Sequence, residues 1–272
     1  MNPYPVFAEM LNAAMLPASP PQFTPRDARL PDIPGKIHSV IGMRRSGKTT
    51  FLRQLQADRR AMLPPERAVF LNFDDDRLEG IGTEQLDFLL EEYFRAHPEL
   101  RGDHTCYWFL DEVQNVEGWD RFARRVLETE RIELVVSGSS AKMLSREVHT
   151  SLRGRGMATV IRPFSFREYL RHRGEEPANE PGRWTSAERS RIESLFRDYL
   201  VEGGFPEAQG LSLALRIEPL QGYVDTVMLR DFASEVIAAG NFSNVSNQAM
   251  RIRLVDLKLV DDEHAPQRKL LL

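Results

Sequence analysis

The residues with the clearest chemical signature form one short segment, residues 42–49. This segment reads Gly42, Met43, Arg44, Arg45, Ser46, Gly47, Lys48 and Thr49, which matches the pattern Gly-x-x-x-x-Gly-Lys-Ser/Thr at every fixed position. An apolar run enters the segment and a helix-forming stretch leaves it near Lys48, which is the context that a phosphate-binding loop requires. We predict that this segment, the phosphate loop, binds the phosphates of ATP together with the adjoining Thr50.

Each fixed residue of the phosphate loop has a chemical reason to be there. Gly42 and Gly47 allow a tight turn in which successive backbone N–H groups point inward at phosphate oxygens. The helix that follows adds its N-terminal dipole to this anion site. Lys48 is expected to reach the β- and γ-phosphates, and the Thr49 hydroxyl to bind Mg²⁺. The alternative is a chance turn that carries no ligand, and the flanking strand and helix disfavour it.

Two adjacent carboxylates, Asp111 and Glu112, follow the apolar run Tyr107–Leu110. A strand that ends in Asp-Glu places both side chains at the carboxyl edge of a parallel sheet, where ligands bind in open α/β folds. Asp111 is expected to hold Mg²⁺, through water and opposite Thr49, and Glu112 to orient or deprotonate the attacking water. A solvated strand end is the commoner role for such residues, but the phosphate loop upstream favours catalysis.

A second acidic run, Asp74-Asp75-Asp76, also follows an apolar stretch. Three successive carboxylates would repel one another and the phosphates of a nucleotide. We therefore interpret this run as a solvated loop near the site rather than as a set of metal ligands.

Small hydroxyl residues and arginines follow the apolar run 132–136. A serine of the stretch 137–140 could hydrogen-bond a γ-phosphate or the attacking water, and Ser139 or Ser140 could cap a helix over 141–147. Arg153 and Arg155 lie beside Gly154, where they could stabilise a transferring phosphoryl group or pair with surface acids.

Between residues 151 and 173 there are six arginines and one acid. This density could contact nucleic acid, but a solvated helix face is the favoured interpretation.

These residues need a scaffold, and the hydrophobic pattern predicts one. Five short apolar runs have the character of strands buried on both faces, and amphipathic helical stretches separate them. Strands that alternate with helices favour a parallel sheet covered on both sides, an α/β fold. The predicted strands are Ile37–Ile41, Val69–Phe73, Tyr107–Leu110, Ile132–Val136 and Ala158–Ile161.

The composition limits the classes of protein to which this sequence can belong. The 272 residues carry a formal net charge of −4, with 28% charged and 42% hydrophobic side chains. This profile is typical of a globular protein and excludes collagen, long disorder and a globally basic nucleic-acid protein. The one cysteine, Cys106, excludes a disulfide scaffold and predicts a reducing, cytoplasmic location. No apolar stretch is long enough to span a membrane, and no cation before Arg26 provides the start of a secretory signal.

The pattern divides the chain into four segments. Residues 1–34 form a proline-rich lead-in with one short helix over Val6–Leu16, and residues 35–164 form the α/β domain. Residues 165–240 form a helical region, because capping boxes at 165–168 and 185–188 start helices and another helix is predicted from Glu218 to Ala239. Residues 241–272 form an atypical tail.

The motifs, taken in order, resemble those of a known family. Residues 42–50, 109–119, 137–147, 152–155 and 163–169, followed by 203–207 and 223–231, form a distinctive series. The series resembles the prokaryotic AAA-type P-loop ATP-binding proteins whose C-terminal region is a domain of unknown function. The resemblance covers about Ile37 to Phe242.

This resemblance implies a P-loop NTPase fold and specific roles. It implies Mg²⁺ and hydrolysis carboxylates at Asp111 and Glu112, a sensor at Ser139, and a finger or sensor arginine at Arg155. It also implies a winged-helix-like segment after the ATPase core and a further C-terminal domain. The chain departs from the family over residues 251–272, and we expect it to be truncated there.

The leading functional hypothesis is an ATPase that couples Mg²⁺-dependent ATP hydrolysis to movement of the helical region. Glu112 favours an enzyme, since a protein that only binds nucleotide needs no carboxylate to activate water. The alternative is a slow or non-hydrolysing nucleotide-dependent switch or DNA-associated regulator, which the basic segment favours weakly. A phosphotransferase is a weaker third possibility. The expected partners are ATP or ADP, a second copy of the chain, and DNA or a protein, with no membrane.

Overall fold

A parallel sheet carries the residues singled out by sequence. In the computed structural model, which describes residues 4–16, 23–78, 80–138, 152 and 154–226, five strands pair in the spatial order β2-β3-β4-β1-β5, and every neighbouring pair is parallel. The predicted strands are confirmed, β1 with its predicted bounds and the others with ends that differ by at most two residues. The strands are β1 (Ile37–Ile41), β2 (Ala68–Asn72), β3 (Cys106–Asp111), β4 (Ile132–Ser137) and β5 (Gly156–Val160).

Helices connect the strands and continue after them. Two begin at the predicted capping boxes, where the Ser165 and Thr185 hydroxyls accept hydrogen bonds of 3.2 Å from the backbone N–H groups three residues later. The helices are α1 (Tyr4–Met15), α2 (Lys48–Arg60), α3 (Thr83–Ala96), α4 (Trp119–Thr129), α5 (Phe166–His172), α6 (Ser186–Glu202) and α7 (Leu213–Thr226).

The sheet is buried on both faces because alternate residues of each strand point to opposite sides. In β3, Trp108 and Leu110 pack with residues of α1, α3 and α4 in the larger core cluster. Phe109, between them, packs with Phe51 and Leu52 of α2 on the other face. The fold is therefore the predicted α/β fold, a parallel sheet flanked by helices.

Helix α1, close to its predicted bounds of Val6–Leu16, packs on β2 and α3. Its Phe7 and Leu11 are buried in the larger core cluster. Arg60 of α2 donates hydrogen bonds to the carbonyl groups of Ala14 and Leu16 at the end of α1. Helix α1 therefore covers apolar side chains of β2 and α3.

The chain divides into two compact units, residues 1–209 and 210–272. Helices α5 and α6, which the sequence assigns to a separate helical region, belong to the first unit. In the second unit, α7 begins at Leu213, earlier than the predicted Glu218, because the Ser212 carbonyl accepts the Arg216 N–H at 3.0 Å and starts the first turn there. The rest of the predicted helix, to Ala239, and the tail 241–272 lie outside the described residues.

The regular elements after β5 are all helices as far as residue 226, so the described part of the chain contains no strands of a winged helix. Within that same part, no helix is long and apolar enough to cross a membrane.

Candidate active site

The phosphate loop joins the end of β1 to the start of α2, as its pattern predicts. Two residues give it a tight curvature: Arg45 has φ 61° and Gly47 has φ 95°. Left-handed residues in such a turn direct successive backbone N–H groups to one side, which creates a concave anion site. The N-terminus of α2 then begins at Lys48 and adds its dipole.

Two buried polar groups inside the phosphate loop fit a phosphate ligand. The Lys48 ammonium group is buried and donates to the carbonyl groups of Gly42 and Met43, both at 3.2 Å, so it is folded into the loop. The Ser46 hydroxyl is fully buried and has no hydrogen-bond partner within the described residues. A buried hydroxyl without a partner is costly, and a phosphate oxygen would satisfy it.

Glycine is required at position 42 because the end of β5 comes close to the phosphate loop there. A Cβ atom at this position would overlap the Ile161 carbonyl oxygen that follows β5. The Ile161 N–H in turn donates to the Ile41 carbonyl at 2.7 Å. The first glycine of the motif is therefore needed where β5 meets the phosphate loop, which the sequence pattern alone does not reveal.

The two predicted carboxylates lie at the same sheet edge as the phosphate loop. Asp111 ends β3, and only β4 separates β3 from β1. Asp111 is 1% exposed, and its side chain accepts a hydrogen bond from the Ser137 hydroxyl at the end of β4. The same Ser137 oxygen accepts the Glu112 N–H at 3.3 Å. Ser137, which the sequence placed only within a run of small hydroxyl residues, therefore connects both carboxylates.

Glu112 has a left-handed backbone, with φ 53° and ψ 41°. This conformation costs a residue other than glycine about 1–3 kcal/mol. Its carboxylate accepts a hydrogen bond from the Gln114 amide, and the other amide atom of Gln114, Oε1, is buried without a partner in the described part of the chain. The turn after β3 thus directs and fixes the Glu112 side chain, and Gln114 is a site residue that the sequence did not identify.

Arg53 of α2 is a cation whose charge interacts with that of Asp111. Burial lowers the pKa of Arg53, and the negative charge of Asp111 opposes that shift. The guanidinium also lies over the Phe70 ring, 3.4 Å from its centroid. An arginine remains protonated in proteins, so this part of the site carries positive charge beside the buried carboxylate.

A cavity of about 390 Å³ adjoins the phosphate loop. Its walls are mostly apolar or aromatic, and the Thr24 hydroxyl meets the His172 ring there, with 2.7 Å between Oγ1 and Nδ1. An apolar cavity with a few polar groups suits a nucleoside. The lining residues are Phe23, Thr24, Arg26, Gly47, Thr50, Phe164, His172 and Pro206.

The acidic run after β2 forms a solvated loop, as predicted. Asp74 and Asp76 are exposed, and Asp75 forms an ion pair with Arg77 at 2.6 Å. Hydrogen bonds from Arg77 lower the pKa of Asp75 to about 2. These acids border a cavity of about 680 Å³ beside α1, and their charge disfavours a polyphosphate there.

Of the predicted sensor and arginine residues, only Arg155 lies within the part of the chain that the structure describes. Ser139 and Arg153 lie outside the described residues. Arg155 precedes β5 at the amino edge of the sheet, where its carbonyl accepts the Ile37 N–H at 2.9 Å and its guanidinium pairs with Glu128. The phosphate loop is at the opposite edge, about 15 Å away over the length of β1. The structure therefore does not bring Arg155 together with the phosphate loop of its own chain.

Arginines of the basic segment pair with acids, as a solvated face predicts. Arg167 and Arg171 both contact Glu176, at 2.7 and 2.6 Å, and Arg173 lies 3.7 Å from Glu202. These pairs neutralise much of the positive charge that a nucleic-acid surface would need.

Comparison with known proteins gives a family match. A family model described as an AAA domain matches residues 34–170. An uncharacterized protein of Methanocaldococcus jannaschii is 34% identical over 207 residues, which are 76% of this chain and 44% of that protein. An uncharacterized protein of Haemophilus influenzae is 28% identical over 200 residues, 72% of this chain and 46% of that protein. The chain thus spans less than half the length of these relatives.

Two solved structures are similar to part of the fold. Cdc6p from Pyrobaculum aerophilum has 14% identity and a TM-score of 0.33, over 52% of this chain and 44% of that chain. PCH-2 from C. elegans has 15% identity and a TM-score of 0.39, over 83% of this chain and 62% of that chain.

Proposed function

Since this chain belongs to the AAA domain family, we propose that it binds ATP with Mg²⁺ and hydrolyses the γ-phosphate. The observation that carries the proposal is the position of the phosphate loop after β1 and of Asp111 and Glu112 after β3, at one edge of the sheet with β4 between them. Phosphoryl transfer needs an anion site, a metal-binding oxygen and a group that orients water, and these are the groups at that edge.

The phosphate loop binds the polyphosphate. Its inward N–H groups and the N-terminus of α2 contact phosphate oxygens, and the Lys48 ammonium moves from the loop carbonyl groups to the β- and γ-phosphates. The nucleoside occupies the cavity of about 390 Å³ beside Gly47 and Thr50.

The donor set at the sheet edge fits Mg²⁺. A hydroxyl oxygen at Thr49 and a buried carboxylate at Asp111 are hard oxygen donors, and Mg²⁺ in such sites takes few protein ligands beside phosphates and water. Thr49 and Asp111 would hold the ion, which supplies neutralisation of charge on the phosphate oxygens. Ser137 keeps the Asp111 carboxylate in one orientation through its hydrogen bond.

Glu112 orients and deprotonates the attacking water. Its side chain starts from a turn at the carboxyl edge, beside Asp111, and Gln114 holds its carboxylate. A positioned carboxylate that accepts a proton from water is worth about 10²–10⁴-fold in rate.

Arg155 completes the site of a second copy rather than its own. Because Arg155 lies at the amino edge of the sheet, it reaches a nucleotide only when that edge faces the phosphate loop of a neighbouring subunit. An arginine supplied in this way stabilises charge on the transferring phosphoryl group. In such an assembly the specific activity rises with protein concentration.

Two further expectations concern coupling to the helical elements and location in the cell. We infer that nucleotide state moves the helical elements after β5, because Glu207 of the 203–207 segment pairs with Arg45 of the phosphate loop and α5 contacts Arg26 beside that loop. The one cysteine, Cys106, is a buried free thiol, which suits the cytoplasm.

The experiment that tests this proposal measures ATP binding by calorimetry in wild type and in Lys48→Ala. Loss of the buried ammonium removes a charge-assisted contact to the phosphates, so binding should fall below detection while the thermal unfolding midpoint changes little. Lys36→Ala is the matched control, because Lys36 lies at the amino edge and donates to the Gly154 carbonyl. Binding by Lys48→Ala at wild-type affinity would contradict the assignment of the phosphate loop.

A further inference from the structure

A buried arginine from the proline-rich lead-in contacts the phosphate loop from outside. The Arg26 side chain is 4% exposed. Its Nη1 donates to the Ser46 carbonyl at 2.9 Å, and its Nη2 donates to the Arg162 carbonyl after β5. Its Nε donates to Glu168 of α5 at 2.9 Å. One guanidinium group therefore joins three separate parts of the first unit.

The contact with Ser46 fixes the orientation of one peptide group of the phosphate loop. The Ser46–Gly47 peptide is planar and trans, so its carbonyl oxygen and the Gly47 N–H point in opposite directions. Because the carbonyl faces Arg26, the Gly47 N–H faces away from Arg26. The space for Arg26 also depends on Gly47, since a Cβ atom there would lie 3.1 Å from Nη1.

Glu168 is a fixed counter-ion for Arg26. Its carboxylate accepts the Ser165 N–H at 2.9 Å in the capping box of α5 and the Asp27 N–H at 2.8 Å. Burial alone would raise the pKa of Glu168, but the hydrogen bonds from Arg26, Ser165 and Asp27 outweigh burial and lower it. The carboxylate therefore stays charged at neutral pH and holds the guanidinium in place. The contact between Glu168 and Arg26 gives a role to residues 163–169, a motif that has no part in the proposed phosphate binding itself.

We propose that Arg26 is a positioning residue of the nucleotide site, which holds the Ser46–Gly47 peptide so that the Gly47 N–H is presented to a phosphate oxygen, with Glu168 as its counter-ion. This inference rests on the proposed ATP binding. It makes α5 part of the phosphate site, because the orientation of a loop amide depends on a carboxylate of that helix.

Arg26→Lys tests the contacts of the guanidinium with the two carbonyl groups. Lysine keeps a positive charge opposite Glu168, but a single ammonium lacks the planar fork that donates to the carbonyl groups of Ser46 and Arg162 at the same time. We expect the variant to remain folded, with an unfolding midpoint lowered by the carbonyl contact that lysine cannot make, and ATP affinity to fall about tenfold, the scale of one lost hydrogen bond to a charged group. Arg29→Lys, at an exposed position three residues further on, is the matched control and should bind ATP as wild type does.

A second variant removes both charges. Arg26→Met with Glu168→Leu replaces a buried ion pair by apolar side chains, a change that folded proteins tolerate better than the loss of one partner. The double variant should fold and bind ATP at least about tenfold more weakly than wild type.

The Gly47 amide provides a readout that a purely structural role would not move. In protein labelled with ¹⁵N-glycine, the Gly47 resonance, identified by its loss in Gly47→Ala, should shift when Mg²⁺ and ATP bind to wild type and shift less in Arg26→Lys. Folded Arg26 variants that bind ATP within twofold of wild type and show the full Gly47 shift would overturn the inference while leaving ATP binding intact. Failure of wild type itself to bind ATP would overturn the proposed function, and this inference with it.

Discussion

Ser137 connects the two carboxylates of the site through one hydroxyl group. Its O–H group donates to Asp111, and its oxygen accepts the N–H of Glu112. A donor that holds a ligating carboxylate sets its orientation and so its affinity for a metal ion. At the scale of single residues, the site is therefore defined by Asp111, Glu112 and a hydroxyl on the neighbouring strand.

Ser137→Ala should weaken the response to Mg²⁺ without preventing ATP binding. Loss of a group that holds a metal ligand costs about 10–100-fold in metal affinity or activity. A titration of ATP turnover against Mg²⁺ should therefore show a half-saturating concentration raised at least about tenfold. Ser39→Ala, which removes a buried hydroxyl from the middle of β1, is the control. An unchanged Mg²⁺ dependence in Ser137→Ala would show that this hydroxyl does not set the Asp111 geometry.

Local spacing predicts some of these residues and not others. Lys48, Asp111 and Glu112 lie in short patterns whose context is the adjacent strand or helix, so the sequence identifies them. Ser137 and Gln114 act through contacts that depend on strand order and on a left-handed turn. Neither property is encoded in a spacing along the chain.

At the scale of elements, the segment 203–207 contacts the phosphate loop. The Gly204 carbonyl accepts the Phe164 N–H at 2.6 Å, and a Cβ atom at Gly204 would overlap the Phe164 carbonyl oxygen, so glycine is required there. Pro206 borders the cavity of about 390 Å³ beside the phosphate loop, and Glu207 pairs with Arg45 of that loop. This close packing places a carboxylate next to a cation of the anion site.

Glu207→Gln should strengthen ATP binding. The carboxylate competes with phosphate for the Arg45 guanidinium, and both side chains of the pair are about half exposed. The effect should therefore be small, about two- to fivefold in affinity at low salt, and weaker at high salt. Calorimetry at two salt concentrations measures it, with Glu193→Gln on the exposed face of α6 as the control. Weaker ATP binding in Glu207→Gln would mean that this carboxylate supports the site instead.

At the scale of the whole molecule, the alternation of apolar runs and amphipathic stretches predicts the sheet and the side on which ligands bind. It does not predict that the proline-rich lead-in belongs to the site. Arg26 and Glu168 are 142 residues apart along the chain, and their pairing depends on where the lead-in and α5 pack against the sheet. Burial of a charge pair is a property of the folded molecule, so the sequence alone shows Arg26 only as one cation among many.

ATP hydrolysis by this molecule depends most directly on Glu112. The measurement is phosphate release at saturating Mg²⁺ and ATP, in wild type and in Glu112→Gln, with Glu117→Gln at an exposed position as the control. We expect wild type and the control to turn over ATP, and Glu112→Gln to retain ATP binding but lose about 10²-fold or more in rate, because the amide cannot accept a proton from water. Equal turnover in wild type and Glu112→Gln, or ATP binding by wild type without turnover, would contradict hydrolysis at this site and leave a nucleotide-dependent switch as the function.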